Sequence, residues 1–491
     1  MNTPINATTP VIIAAAAVSQ KIDNPELLLD GKDAVGLMVD AAKKAANKHL
    51  EAIILSEVDA ISVCQGMWGF NNPAALMKEA VGATNAETIF QKIGVLQQDV
   101  ISEACLAIQS GKKSFCLVAG GEAKYRDLMA GIHQITLPSV EAQSEPDRLV
   151  EPEQELWLSA ETDAGLGMPV GYYALMDSVY QKDHSLTVEQ HRHRVAELYH
   201  DFSDVAASNP DAWKQQVVEA DDIKNASDKN PMLAFPYTKR HNSSWNVDQA
   251  SAILICSTEK ATALGVDQKH WIFPVAATAS NHMLAVSERE HLARCPGAEE
   301  AAKALYELSN MAPVAIDLVE LYSCFPVGVL SFVDALGLEG RSSLTTTGGM
   351  PFAGGPLNNY VIQSTVKTLE LLESINKVTA LVSNISGMNT KQGLFLYSKN
   401  YQPFQYQDVT EKVAQVQTKK TVLTDYQGQA TIVASTVLFQ KNTAERVVVI
   451  AENESGERVV AYSQDAALFS DFEKQTQIGK SVAVEQGIFC F

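Results

Sequence analysis

Residues 114–121 read Ser-Phe-Cys-Leu-Val-Ala-Gly-Gly. The run is apolar at odd and even positions alike, so a strand here has no face to offer to solvent. Strands of this kind belong in sheets covered on both sides. A helical pattern over Gln97–Ser110 precedes it. The chain opens in the same style. Pro10 starts the apolar run Val-Ile-Ile-Ala-Ala-Ala-Ala-Val, and a helix follows over Ala34–His49 with Leu37, Met38, Ala41, Ala42 and Ala45 on one face. Ile53–Leu55 and Ala60–Val63 read as further strand material. Strand and helix in alternation predict βα units in a mostly parallel sheet. Such sheets take ligands beyond the carboxyl ends of their strands, and Gly120-Gly121 marks one such end.

Between Glu122 and Trp245 the texture changes to helices separated by polar loops. The clearest helix starts after Thr187, with Gln190 three residues on as a capping box. Val195, Leu198, Tyr199, Phe202 and Val205 form its apolar face. His191, His193 and His200 lie along it without metal-ligand spacing, so no metal is expected. Alternation resumes at Val247, with strands over Gln249–Cys256, Ile272–Ala276, Ala312–Leu321 and Val378–Val382. Helices over Ala298–Met311 and Tyr360–Leu372 lie between them. After Pro403 apolar and polar residues alternate through Thr418–Gln440, Glu445–Gln464 and Ser481–Phe491, which predicts a small antiparallel barrel or sandwich.

Composition removes several classes of function. Lys and Arg number 38 against 58 Asp and Glu, a net charge of −20. Such a chain repels nucleic acid and anionic membrane. Any anionic ligand needs local basic residues. No apolar run approaches the roughly 18 residues of a membrane span. Seven cysteines, at 64, 105, 116, 256, 295, 324 and 490, include no Cys-x-x-Cys pair and read as reduced thiols of a cytosolic protein.

The stretch from Val319 to Tyr360 carries the candidate chemistry. Val319-Glu320-Leu321 leads into Tyr322-Ser323-Cys324-Phe325-Pro326 and an apolar helix. A thiol at that junction faces unpaired N–H groups, which predicts a lowered pKa. Phe325-Pro326 would act the other way if they bury the sulfur. Gly348-Gly349 and Gly354-Gly355 then bracket Pro351, with Pro356 following, and paired glycines permit close approach to a ligand or a tight turn. These motifs resemble the thiolase superfamily, most closely the sterol-carrier-type thiolases and the thiolase-like proteins of type 1. In the sterol-carrier type a His-Asp-Cys-Phe motif stands where this chain has Tyr322-Ser323-Cys324-Phe325. A Gly-His-Pro motif stands where it has Gly354-Gly355-Pro356.

The resemblance covers roughly residues 10–400. It implies a duplicated five-layer αβαβα core, with 1–121 opening the first half, 122–246 as a helical insertion and 247–405 as the second half. The β domain at 415–491 resembles the extra C-terminal domain of the type 1 proteins. It also implies acyl transfer from a coenzyme A thioester in lipid metabolism, with no covalently bound cofactor and a monomer or homodimer. The thiolase nucleophile maps to Gly94, the histidine base to Gly355, an oxyanion donor to Tyr322, and the second cysteine to the region of Ser383, Asn384 and Gly387. Cys324 and Tyr322 remain as catalytic candidates, with Gly94, Ser323, Gly349, Gly354, Gly355, Asn384 and Gly387 as cleft loops. Lys239-Arg240-His241 and Lys124 with Arg126 are the candidate phosphate contacts. Two readings follow: a CoA-dependent acyltransferase, or a silent relative that holds an acyl-CoA, a lipid-like ligand or a protein.

Overall fold

The computed structural model describes residues 5–140, 143–152 and 157–491. The core strands, in chain order, are β1 (Pro10–Gln20), β2 (Ala60–Cys64), β3 (Glu87–Gln91), β4 (Phe115–Ala123), β5 (Arg148–Val150), β6 (Met232–Ala234), β7 (Tyr237–Thr238), β8 (Asp248–Ser257), β9 (Phe273–Ser280), β10 (Leu318–Glu320), β11 (Thr379–Ser386), β12 (Lys391–Ser398) and β13 (Gln405–Asp408). Apart from β6 and β7, which join the C-terminal sheet, they form two sheets, ordered β1-β8-β4-β2-β3-β5 and β10-β11-β12-β9-β13. In the first, β2 is parallel to β4, β4 antiparallel to β8, and β8 antiparallel to β1. In the second, β10 is parallel to β11, β11 antiparallel to β12, and β12 antiparallel to β9. The same sequence of directions in both sheets is the duplication, which residue identities do not reveal.

Helices complete the five layers. Ala34–Ala46 covers the outer face of the first sheet, and Pro296–Ser309 covers that of the second. Asp99–Gln109 and Tyr360–Ser374 lie between the sheets, the latter against β1, β8 and β11. β4 is buried along its whole length, as its unbroken apolar run requires. Its terminal glycines are set by packing. A Cβ on Gly121 would stand 2.8 Å from Ala250 Cβ and 2.9 Å from Met38 Cγ, and one on Gly120 3.1 Å from Asn359 and Ile362. The strand end expected to face a ligand is pressed by the chain's own helices and strands.

Four expectations need correction. The first sheet is mixed, because β8 runs antiparallel between β1 and β4. β8 also returns to the first sheet after the insertion, so the first half closes near Ser257 and not before Val247. Ile53–Leu55 lies in a 3-10 turn, Ala52–Glu57, where it packs against Ala34–Ala46 instead of pairing. The proposed strand Ala312–Leu321 shrinks to Leu318–Glu320, because Pro313 opens a 3-10 turn. The edge of β3 is occupied over Ile89–Gln91 by β5 from the insertion, which leaves that three-residue strand as the sheet's edge.

The C-terminal strands are β14 (Val422–Leu423), β15 (Gln427–Gln440), β16 (Thr443–Glu452), β17 (Arg458–Ser463), β18 (Ser481–Glu485) and β19 (Ile488–Cys490). β15, β16, β17, β19 and β18 pair in a closed ring around Ile432, Val447, Val449, Ala461, Val482 and Phe489. The long β15 also meets β6 of the insertion, where Phe235 N donates to Val437 O at 2.8 Å. The helix Thr410–Val416 packs on Pro296–Ser309, so the join to the core lies after Val416. Among the described residues no helix is long and apolar enough to cross a membrane.

Two outcomes test this account. Gly121→Ala should lower stability in urea by about 1–3 kcal/mol through overpacking. The helical Gly131, with nothing within 4 Å of an added Cβ, should tolerate alanine with a change of about 1 kcal/mol or less. Equal effects would refute the packing explanation. Residues 415–491 expressed alone should show β circular dichroism and one cooperative melt, since the ring closes within them. A non-cooperative melt would show that the ring depends on β6.

Candidate functional site

Glu320, the last residue of β10, is fully buried. Its Oε2 accepts from Thr345 Oγ1 at 3.0 Å, Thr346 N at 2.6 Å, Thr346 Oγ1 at 2.9 Å and Thr347 N at 3.0 Å. Its Oε1 accepts from Thr347 Oγ1 at 3.1 Å and Tyr360 OH at 2.8 Å. Burial pushes its pKa up, against the pull of these donors. The sequence reading passed over this residue; the signal was the run Thr345-Thr346-Thr347 just before the glycines.

The four segments that carry the candidate residues meet here. Tyr322 N donates to Ser383 Oγ at 2.8 Å, and Gln97 Nε2 donates to Tyr322 OH at 3.4 Å. Met350 N donates to Ser323 Oγ at 2.9 Å. Gly387 O accepts from Tyr173 OH at 3.2 Å, and Gly94 O from Lys391 Nζ at 2.9 Å. Asn384 is fully buried, and neither end of its amide has a protein partner. Tyr322, Ser323, Cys324, the glycine loop, Asn384 and Gly387 are thus brought together. Gly94 joins through the turn that leads to Gln97.

Cys324 is only 8% exposed. Phe325 stacks on Tyr173 at 4.3 Å and on Tyr237 at 6.2 Å. The start of the helix Pro326–Leu336 is already engaged, since Val327 N donates to Tyr237 OH at 3.2 Å. Burial pushes the Cys324 thiol up to about 12, although a hydrogen bond with the Tyr173 hydroxyl and the Phe325 amide pull it down. The expected lowered pKa is therefore wrong, because desolvation outweighs the helix end. Tyr322 is held neutral the same way, its phenol raised by burial.

Gly348 and Gly349 serve the insertion and Gly354 the start of β8, where a ligand approach was one expectation. Gly348, Gly349 and Gly354 are left-handed, with φ of +97°, +75° and +105°. A Cβ on Gly348 would lie 2.4 Å from Ala206 N, on Gly349 2.5 Å from Phe202, and on Gly354 2.1 Å from Gln249 Oε1. Gly355 is backed by Ser243 and Met350, and its N–H donates to Ser244 O at 2.8 Å. The helix Val188–Ser208, capped by Thr187 and Gln190 as expected, lies directly on this loop.

The phosphate candidates divide. His241 is buried, its Nδ1 accepts from Thr238 N at 3.1 Å, and burial pushes its pKa down to about 3. A neutral, enclosed imidazole does not hold phosphate, so His241 leaves the list. Arg126 is buried too, donating to Leu28 O at 2.8 Å. Lys239 is exposed and Arg240 partly so, the latter donating to Asp222 O at 2.8 Å. Lys214 joins them, donating to Ser244 Oγ at 2.7 Å and Pro351 O at 3.1 Å, at the rim of the glycine loop. Although part of Lys214 reaches solvent, packing around its charge and then repulsion from Lys239, Arg240 and Lys21 lower its pKa to about 8. Lys21 lies over the Trp213 ring at 5.6 Å.

Residues 408–487 match the family model described as the thiolase-like protein type 1 additional C-terminal domain. Among curated proteins the chain is similar to the acetyl-CoA acetyltransferase of Methanocaldococcus jannaschii, 26% identical over 237 residues, covering 48% of this chain and 53% of that protein. It is also similar to that of Methanothermobacter thermautotrophicus, 24% identical over 256 residues, covering 50% and 62%. The matches therefore span about half the length of these relatives. Among solved structures, a monomeric SCP2-thiolase like protein type 1 from Mycobacterium smegmatis superposes with a TM-score of 0.83 at 21% identity, covering 99% of this chain and 100% of that one. Human mitochondrial 3-ketoacyl-CoA thiolase in complex with CoA gives 0.55 at 16% identity, covering 81% and 100%.

Thiol reactivity tests the site. At pH 8 a pKa of about 12 leaves on the order of one Cys324 thiolate in ten thousand. Iodoacetamide should label exposed Cys490 first and Cys324 only at the slow rate of a buried thiol, within the range of Cys116 and Cys295, as read by mass spectrometry. Rapid Cys324 labelling would mean that the sulfur is reachable and ionised.

Proposed function

We propose that this thiolase-superfamily chain, with its type 1 additional domain, binds a coenzyme A thioester without carrying out thiolase turnover. One observation carries the reading: Cys324, the surviving thiol of the assembled loops, is buried behind Tyr173 and Phe325 with a raised pKa. A thiolase reaction needs a thiolate to take the acyl group and a base to receive its proton. Gly94 and Gly355 stand at the positions that the resemblance gives to those groups, and neither has a side chain to do it.

The nucleotide end of the ligand is assigned to the basic face of Lys21, Lys214, Lys239 and Arg240. These cations supply charge-assisted contacts to phosphate, and exposed Trp245 and half-buried Trp213 offer flat surfaces beside them. The face adjoins Ser244 and Pro351, hence the rim of the old catalytic loop. The alternative, an acyltransferase acting through Cys324, has the names of the curated relatives behind it. The Mycobacterium smegmatis neighbour is monomeric, and this, together with the pairing of β3 with β5, supports a monomer.

Calorimetry with acetyl-CoA and a long-chain acyl-CoA should detect binding that weakens with salt and with Lys239→Ala or Lys214→Ala. Acetoacetyl-CoA thiolysis should stay far below the roughly 10 per second of an ordinary enzyme. Turnover near that rate would establish the acyltransferase reading. Absence of binding would remove the coenzyme A assignment.

A further inference from the structure

Away from this cleft, among the described residues, His49, His270 and Glu373 offer ligand atoms that all lie within 4.8 Å of one another. His49 Nε2 is 3.1 Å and His270 Nδ1 3.0 Å from the same atom, Glu373 Oε1. The two imidazoles stack at 3.8 Å, inclined by 23°. Sequence spacing gave no sign of the group, because 324 and 103 residues separate Glu373 from its partners. His49 follows the outer helix Ala34–Ala46, His270 ends the 3-10 turn Gln268–His270 before β9, and Glu373 lies in the last turn of the central helix Tyr360–Ser374. All three are partly exposed, and His270 and Glu373 line a hollow with Lys48, Glu370 and apolar Ile12, Ile272 and Leu369.

We propose that His49, His270 and Glu373 form a binding site for a divalent transition-metal ion of the zinc class, with water as the fourth ligand. Two imidazoles and a carboxylate are a ligand set suited to Zn2+, whereas Mg2+ and Ca2+ prefer oxygen. Around a tetrahedral ion about 2.1 Å from each ligand, the donors stand roughly 3.4 Å apart. The nitrogen-to-carboxylate distances of 3.1 and 3.0 Å are close to that spacing, but the stacked rings must swing apart so that both lone pairs, which lie in the ring planes, converge on the ion. The N–H groups that now donate to Glu373 must give way to the ion, and each neutral imidazole then carries its proton on the other ring nitrogen. Burial lowers the pKa of His49, against the pull of Glu373. Lys48 is occupied by Glu370 at 2.7 Å, so Glu373 is left to the histidines.

The ion would act as a clamp. Next to the site, Ile12 and Ile272 exchange backbone hydrogen bonds of 2.9 and 3.1 Å, the point where the first and second sheets touch. Metal ligation there would join an outer helix, a central helix and the link between the halves, and would stabilise the folded state by mass action.

The test uses the untagged full-length chain with Cys490→Ser, stripped with EDTA and then titrated with Zn2+ by calorimetry and with Co2+ by visible absorption. One equivalent should bind, with a tetrahedral Co2+ spectrum, and Zn2+ should raise the melting temperature. Glu373→Gln and His270→Ala should each weaken binding about tenfold or more and abolish the thermal shift. Unchanged affinity in both folded variants would place the ion elsewhere and overturn the proposal. So would absence of binding to the parent chain. If the variants do not fold, an octahedral, water-like Co2+ spectrum on the parent chain overturns it as well.

Discussion

The buried carboxylate of Glu320 is the constraint on which the site depends. An ionised carboxylate without partners in an apolar interior costs many kcal/mol, and here its partners are hydroxyls and backbone N–H groups. They come from two segments, Thr345–Thr347 and Tyr360, and Glu320 ends a third. The loop is therefore fixed in register against β10, and the central helix starts at a fixed height. Gly348 and Gly349 follow directly, so their left-handed turn is placed under the helix Val188–Ser208. A shift of one residue would put a threonine where only a glycine fits.

The insertion fills what that loop would otherwise leave open. Tyr199 donates to Ser323 O at 3.3 Å, Phe202 occupies the space over Gly349, and Tyr173 and Tyr237 both stack with Phe325. Protein interiors are packed at the density of organic crystals, and these contacts have that character. Exposing a large apolar side chain costs about 1.5–3 kcal/mol. A ligand that reaches Cys324 must displace several, so its binding energy has to exceed that sum before any chemistry begins. A ligand held at the rim by Lys214 and Lys239 meets no such cost.

Much of the architecture was legible because burial on two faces leaves a direct mark in sequence. The apolar runs at β1, β4 and β8, the capping box at Thr187 and the alternating texture after Pro403 each have one natural structural reading. Topology was less legible. Nothing in Asp248–Ser257 says that it pairs with β1 and β4 from before the insertion, since strand partners are chosen by long-range packing. The segments of the site were found, but their electrostatics were misjudged. A helix start next to Cys324 suggested a thiolate, while the rings that bury it come from residues 173 and 237, far away in sequence. Lys239 and Arg240 were visible as a basic pair. Their neighbours Lys21 and Lys214 become neighbours only in the fold, and His241 turns inward from the same turn.

The chain's net charge of −20 and its basic face are compatible because charge acts over a limited distance. At physiological ionic strength the screening length is about 8 Å, so carboxylates across the molecule contribute little at the rim of the glycine loop. Burial and then the nearby Lys239 and Arg240 lower the pKa of Lys214, so local potential there is set by cations. A phosphate bound there, as proposed above, would offset the part of the Lys214 shift that comes from its cationic neighbours, while burial, the larger cause, would remain. On that reading binding and protonation of Lys214 would reinforce each other, and the acidic remainder of the surface would act on approach from afar and not on the contact itself.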